Sequence, residues 1–158
     1  MSTSTERKDM AILQLLIDDS SLTKKQIAKT LGIPLTTVHN RISHLEKDGI
    51  IEGYRAKPNW KKLGFGIAAF INITINYSSK GYSQEDTARK ISQLDGVDSV
   101  SIVAGTYDIV AKVRKKDTDE LNTFIINNLR KIPGIDKTTT VVILKEYEME
   151  KLRKASID

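Results

Sequence analysis

The apolar residues of this chain change their period once. Up to Leu45 they recur every three or four positions; from Gly66 onward they alternate with polar ones. Ile12, Leu13, Leu16 and Ile17 make one stripe, Ile27, Ala28 and Leu31 a second, and Val38, Ile42 and Leu45 a third. The first spacing lines one face of a helix and the second lines one face of a strand. The chain is therefore expected to fold as two units, helical first and sheet-containing second. Its 158 residues allow two small domains, and an apolar content of 39% fills two modest cores.

The first unit reads as three helices. Thr3 and Glu6 have the spacing of a capping box, in which each side chain holds a backbone N–H near the other. Asp18-Asp19-Ser20-Ser21 ends that helix, and Thr23 with Gln26 opens the next in the same way. Gly32 supplies the left-handed residue favoured just past a helix. Pro34 suits the first turn of a third helix over 34–47, which Asp48-Gly49 stops. Ile50–Tyr54 then reads as a short strand. Two short helices joined by a Gly-containing turn make a helix-turn-helix unit, with small Ala28 allowing close approach. The same turn is also compatible with a plain three-helix bundle.

After a linker over 55–65, Gly66–Tyr77 reads as a strand and Ser83 caps a helix through Leu94. Strands follow at Val97–Ala104 and Tyr107–Lys115. Asp117 and Glu120 open a helix ending at Pro133-Gly134, and Thr138–Tyr147 is a β-branched fourth strand. ISQLDGVDS at 91–99 echoes LRKIPGIDK at 129–137 in shape: an apolar helix end, a Gly turn, an apolar residue, then Asp. Two such strand-helix-strand copies assemble as an antiparallel four-stranded sheet with both helices on one face. The fold class is α+β: a winged helix-turn-helix over 1–54, the linker, a ferredoxin-like βαββαβ domain over 66–150, and a tail over 151–158. Val110, Val142 and Leu144 fall opposite the other apolar positions of their strands. A sheet apolar on both faces covers its second face with another protein surface, most simply a second copy of the chain.

Residues 1–62 hold eleven Lys and Arg against seven Asp and Glu, while the remainder holds fourteen against thirteen. The positive excess lies in the helical unit, which suits a polyanion partner. Without Cys there are no disulfides or thiolate metal sites. His39 and His44 are five apart, a spacing that keeps them off one helix face, so no metal or cofactor is expected. No acid-base pair stands out to suggest an enzyme. No apolar run is long enough to span a bilayer, and no signal peptide is recognisable, so the expected location is cytoplasmic without membrane association.

Asp9, Ile12, Leu15-Leu16, IAKTLGI at 27–33, TTVHNRISHLEKDGIIEGY at 36–54, LGF at 63–65 and AGTYD at 104–108 together resemble the Lrp/AsnC family of feast/famine transcription regulators. The resemblance runs from about Asp9 to Tyr147. Two positions depart from it: Pro34 where many members open the recognition helix with Ser, and Ser21 where many have Arg.

If 34–47 is a recognition helix, Leu35, Thr36, Thr37, Asn40, Arg41 and His44 lie partly on its outer side. Asn pairs with adenine, Arg with guanine or phosphate, and Thr methyls touch thymine. Lys24 and Lys25 on the preceding helix, with Lys29, suit phosphate contacts to double-stranded DNA. Arg41 has a second reading, as a salt-bridge partner for an acid of the first helix. The Gly105–Asp108 turn by itself reads first as a plain hairpin connection, with Gly supplying positive φ and Asp facing water. The resemblance implies more: a small effector, commonly an amino acid, held near that turn at an interface between dimers. The candidate residues are Gly105, Thr106, Tyr107, Asp108, Thr138, Thr139 and Thr140, with Asp108 meeting an ammonium group and hydroxyls or N–H groups meeting a carboxylate. A homodimer assembling into rings of dimers is the expected form. A ligand-free architectural DNA-binding protein and a metabolite sensor that docks on protein are the competing readings.

Overall fold

The computed structural model describes residues 3–77 and 83–147, with side chains from Arg7 onward. The Thr3–Glu6 pairing and the tail over 151–158 lie outside the described side chains and residues. The chain divides between Pro58 and Asn59 into two compact units, the second ending at Glu146.

In the first unit, α1 spans Thr3–Asp18, α2 Lys24–Leu31 and α3 Leu35–Lys47. Ile12, Leu16, Ile27, Ala28, Val38 and Ile42 form its core. Each helix boundary has a local cause. Asp19 accepts from both the N–H and the hydroxyl of Ser21 after α1. The Thr23–Gln26 capping box forms reciprocally, with Thr23 N–H on Gln26 Oε1 at 2.8 Å and Gln26 N–H on Thr23 Oγ1 at 3.2 Å. Gly32 takes the left-handed conformation at φ 62°, and its N–H closes on the Ala28 carbonyl. Pro34 is the residue before α3 rather than its first member. It offers no side-chain cap, and its carbonyl accepts from Thr37 and Val38.

The strand expected at Ile50–Tyr54 does not form a ladder within the described chain. Ile50 and Ile51 both return their N–H to the Leu45 carbonyl, and the segment then runs on without pairing. β-propensity selects an extended backbone, but a strand also needs a neighbour to bond to.

In the second unit, β1 spans Ile67–Ile75, α4 Gln84–Ser92, β2 Val97–Ile102, β3 Ile109–Lys115, α5 Thr118–Asn127 and β4 Ile135–Val142. The sheet order is β2-β3-β1-β4, with every neighbouring pair antiparallel. Ile71, Ile73, Ile109 and Val113 meet Ile91 of α4 and Leu121 and Phe124 of α5 in one core. Ser83 caps α4 and Asp117 caps α5 through the side chain. Glu120, however, takes the N–H of Lys116 instead of closing the box on Asp117.

Helix α5 stops at Asn127, ahead of a single 3-10 turn at Leu129–Lys131. The Gly134 turn, at φ 96°, brings β4 into pairing earlier than Thr138. β4 also ends at Val142 rather than Tyr147, because its partner β1 begins only at Ile67. Ile143 N–H still reaches the Ala68 carbonyl at 2.8 Å as the ladder runs out.

Lys115 completes the buried row of β3 at 5% exposure. Its ammonium sits 4.2 Å from the Phe124 ring centroid and donates to the Asp95 carbonyl at 2.6 Å. A cation there is stabilised by the ring face and a carbonyl acceptor in place of water.

The sheet face away from the helices is not uniformly apolar, as the alternation had implied. Phe70, Val110 and Val141 share it with Lys112 and Arg114. Asp98, at a register shift in β2, holds Arg114 at 2.6 Å, and Glu146 pairs with both Lys112 and Arg114. The hydrogen bond from Lys112 is the main cause holding Glu146 below the usual carboxylate range. Arg114 also stacks on Trp60, 5.3 Å from the ring centroid, and Trp60 meets Phe65 edge-on. The strand period places Val110 on this face, but of β4 it is Val141 that lies here, while Val142 pairs with Ala69 on the helix-covered face and Leu144 is beyond the strand. The period carried no information on acids arriving from Asp98 and Glu146.

Candidate functional site

On α3, Val38, Ile42 and Leu45 are buried. The positions opposite them, at steps of four, three and four, are Thr36, Asn40, Ser43 and Lys47, and all four are exposed. This stripe has one hydroxyl, one amide, a second hydroxyl and an ammonium facing outward. Ser43 and Lys47 are not among the residues that chemistry singles out in the sequence, although the 3.6-residue period contains them. Leu35 is 49% exposed beside the start of the stripe.

Thr37, Arg41 and His44 lie on the flank toward α1. With Asn40, Met10 and Leu13 they line a mainly apolar groove of about 650 Å3. Arg41 Nη1 is 2.8 Å from Asp9 Oδ1 of α1, the salt-bridge reading of this residue. His44 Nε2 stands 3.9 Å from Asp48 Oδ2. On the other flank, Lys24 Nζ and His39 Nδ1 are 2.9 Å apart, which links α2 to α3. Lys25 and Lys29 are exposed. Of the basic candidates, Lys24 and Arg41 each have a partner on a neighbouring helix, and His44 has Asp48 just past the end of its own.

In the second unit, Gly105 and Thr106 are exposed at the tip between β2 and β3, and Tyr107 is half-buried. Gly105 has φ 151° and open space where a Cβ would be. Asp108 is engaged on both oxygens. Oδ2 accepts the Ile75 N–H at 2.8 Å, while Oδ1 accepts the Tyr77 hydroxyl at 2.6 Å and the Gln84 amide at 3.0 Å. Its backbone N–H bonds the Ile73 carbonyl, and its carbonyl accepts from Val103. The Tyr77 hydroxyl, followed by the Ile75 N–H, keeps the Asp108 carboxyl below its ordinary pKa, and the same hydrogen bond raises that of Tyr77. The sequence pointed to Asp108 but not to Tyr77 or Gln84, which arrive from 31 and 24 residues away.

The threonine run does not act as one wall. Thr138 and Thr140 pair with Ile73 and Ile71 and share the helix-covered face, whereas Thr139 pairs with Asn72 on the other. Thr138 Oγ1 accepts from Arg130 Nε at 3.2 Å. Within one chain, β1 separates the run from β3.

Among the described residues, no cluster of three or more His, Cys, Asp or Glu is placed to hold a metal, and no helix is long and apolar enough to cross a membrane.

A helix-turn-helix unit followed by an antiparallel sheet with both helices on one face defines a two-domain DNA-binding regulator. Comparison with known proteins agrees for both parts. A winged helix-turn-helix DNA-binding family matches residues 5–52, and the Lrp/AsnC ligand binding domain matches residues 68–152. An uncharacterised HTH-type transcriptional regulator of Pyrococcus furiosus is 40% identical over 142 residues, covering 90% of this chain and 94% of its own. The HTH-type transcriptional regulator FL11 of Pyrococcus abyssi is 30% identical over 94% of this chain and 95% of its own. The structure of E. coli AsnC superposes with a TM-score of 0.80 at 27% identity, over 92% of this chain and 96% of that one. A Neisseria meningitidis transcriptional regulator solved as a complex with L-Met has the same fold, with a TM-score of 0.83 at 24% identity over 90% and 92% of the two chains. The chain belongs to the Lrp/AsnC family of transcription regulators. It is a DNA-binding regulator with a ligand-binding domain, and the relatives it matches are named as transcriptional regulators rather than enzymes.

Proposed function

We propose that the protein binds specific duplex sequences through the outer stripe of α3, and that a free amino acid bound near the β2–β3 turn alters this binding or the assembly of the chain. The exposed stripe Thr36, Asn40, Ser43 and Lys47, opposite a fully buried face, carries the first part. A helix in the major groove presents such a stripe to base edges. Asn40 is the adenine reader, Thr36 and Leu35 contact thymine methyls, and Thr37 and His44 reach the groove edge. Lys25 and Lys29 neutralise phosphates. Lys24 and Arg41 can join them only by sharing or leaving His39 and Asp9.

The effector reading rests on the ligand-binding domain and on a carboxylate in a turn whose tip, Gly105 and Thr106, is open. Asp108 stays ionised well into acid, so it suits an ammonium group. Gly105, Thr106 and Tyr107 then border the ligand. The L-Met complex of the Neisseria regulator with this fold is in keeping with that chemistry. Thr138, Thr139 and Thr140 contribute to the same pocket only from another subunit, so the functional form is a homodimer or a ring of dimers. Phe70 and Val141, exposed on the open sheet face, support association there.

Gel-shift titration with genomic fragments at two salt concentrations tests the DNA part. Asn40→Ala should cost about 1–3 kcal/mol on the best site and relax preference at one base pair. Lys25→Ala should weaken all duplexes alike and reduce the salt slope by about one. Unchanged discrimination in Asn40→Ala would exclude base reading by Asn40.

A further inference from the structure

We infer that Tyr77 is an internal competitor for the effector: its hydroxyl holds the place on Asp108 Oδ1 that the ligand's ammonium group takes. This rests on the amino-acid reading of the turn proposed above. An ionised carboxylate offers roughly four acceptor positions. Three are filled here, by the Ile75 N–H, the Tyr77 hydroxyl and the Gln84 amide. The three donors differ in what it takes to remove them. Ile75 is the last residue of β1 and 6% exposed, so its N–H leaves only if the strand end frays. Gln84 is the half-buried first residue of α4, fixed by the helix that Ser83 caps.

Tyr77 is different. It lies two residues beyond β1 and is 60% exposed, and Asp108 and Gln84 hold it by the hydroxyl. Released, that hydroxyl is taken up by water with little rearrangement. It is also a neutral donor. An ammonium brings three donors and a full charge, and its bond to a carboxylate is stronger than a neutral one. The exchange therefore runs toward the ammonium once the ligand is bound by its other groups. Oδ1 carries the exposed partner, the Tyr77 hydroxyl, whereas Oδ2 faces the backbone of β1.

Two consequences follow. Ligand affinity is lowered by the fraction of molecules in which Tyr77 occupies Asp108, since only the remainder is competent to bind. Ligands without an ammonium have nothing to exchange for the hydroxyl. Tyr77 thus sets both the threshold concentration of the effector and the preference for a free amino group.

The test is calorimetric titration of the full chain with each of the twenty L-amino acids and their N-acetyl derivatives, on the parent, Tyr77→Phe and Asp108→Asn. Circular dichroism checks that each variant is folded. The responding amino acid should bind Tyr77→Phe about three- to tenfold tighter than the parent, with no gain for its N-acetyl derivative. Binding detectable only in Tyr77→Phe also supports competition. Equal or weaker binding to Tyr77→Phe, or an equal gain for the N-acetyl compound, overturns it. The amino-acid reading then survives if Asp108→Asn abolishes binding. Binding that Asp108→Asn leaves intact, or no binding by any of the three proteins, overturns the reading of the site as well.

Discussion

Asp108→Ala should destabilise the second unit, quite apart from any effect on ligand. The substitution removes the acceptor for Ile75 N–H, Tyr77 and Gln84 together. Tyr77 is exposed and Gln84 half-buried, so water replaces what they lose. The Ile75 N–H is the costly one. Ile75 is 6% exposed at the end of a central strand, and a buried donor left without a partner costs about 1–3 kcal/mol. In a chain of this length that corresponds to a fall in melting temperature of about 2–12 °C. Asp108→Asn keeps an oxygen for that N–H and should lose about half as much.

The effect also has a pH signature. Asp108 has its pKa lowered in the folded state, chiefly by the Tyr77 hydroxyl. The stabilisation is therefore complete above the unfolded value of about 3.9, and it fades as pH falls through the lower folded value. The gap between parent and Asp108→Ala should narrow on acidification below about pH 4. The single tryptophan, Trp60, packs edge-on against Phe65 in the second unit, so its fluorescence reports unfolding of that unit. Equal melting of parent and Asp108→Ala at neutral pH, or a gap that persists unchanged into acid, would refute the assignment of Asp108 as the clamp between the turn and β1.

Gly96→Ala should cost about 2–4 kcal/mol, because the added carbon meets a backbone already at positive φ and a crowded neighbourhood. At φ 75° its Cβ would stand 2.6 Å from the Arg114 carbonyl and 2.7 Å from Lys115 Nζ. Gly32→Ala, at φ 62° in open space, should cost only about 1–2 kcal/mol, and urea unfolding compares the two. Light scattering at micromolar concentration should show a homodimer or a larger assembly, and a monomer would exclude association through the second unit.

The helix-turn-helix was readable because each of its signals is local. Thr23 and Gln26 are three residues apart, and Gly32 needs only its own backbone to end α2. The sheet was readable from alternation and from the repeated strand-helix-strand shape, which together imply the antiparallel order observed. The outer stripe of α3 was only half recovered. Thr36 and Asn40 stand out by their chemistry, while Ser43 and Lys47 follow from the helical period alone. The turn at 104–108 stood out by its glycine and its acid, yet its carboxylate faces donors from distant segments.

What the sequence by itself determined is therefore the elements, their order and the faces on which their side chains lie, because those depend on neighbours within a few residues. Tertiary structure decided which polar groups meet. Asp108 becomes a clamp through Tyr77 and Gln84, and Arg41 is turned to α1 by Asp9. Lys115 is buried at the end of β3 because Phe124 and the Asp95 carbonyl receive it. The threonine run is divided between two faces by its pairing with β1, and Ile50–Tyr54 remains unpaired although its composition suits a strand. Each outcome depends on a partner supplied by another part of the fold. A hydrogen bond or an ion pair is a property of two groups at contact distance, and spacing along the chain specifies that distance only within a single element.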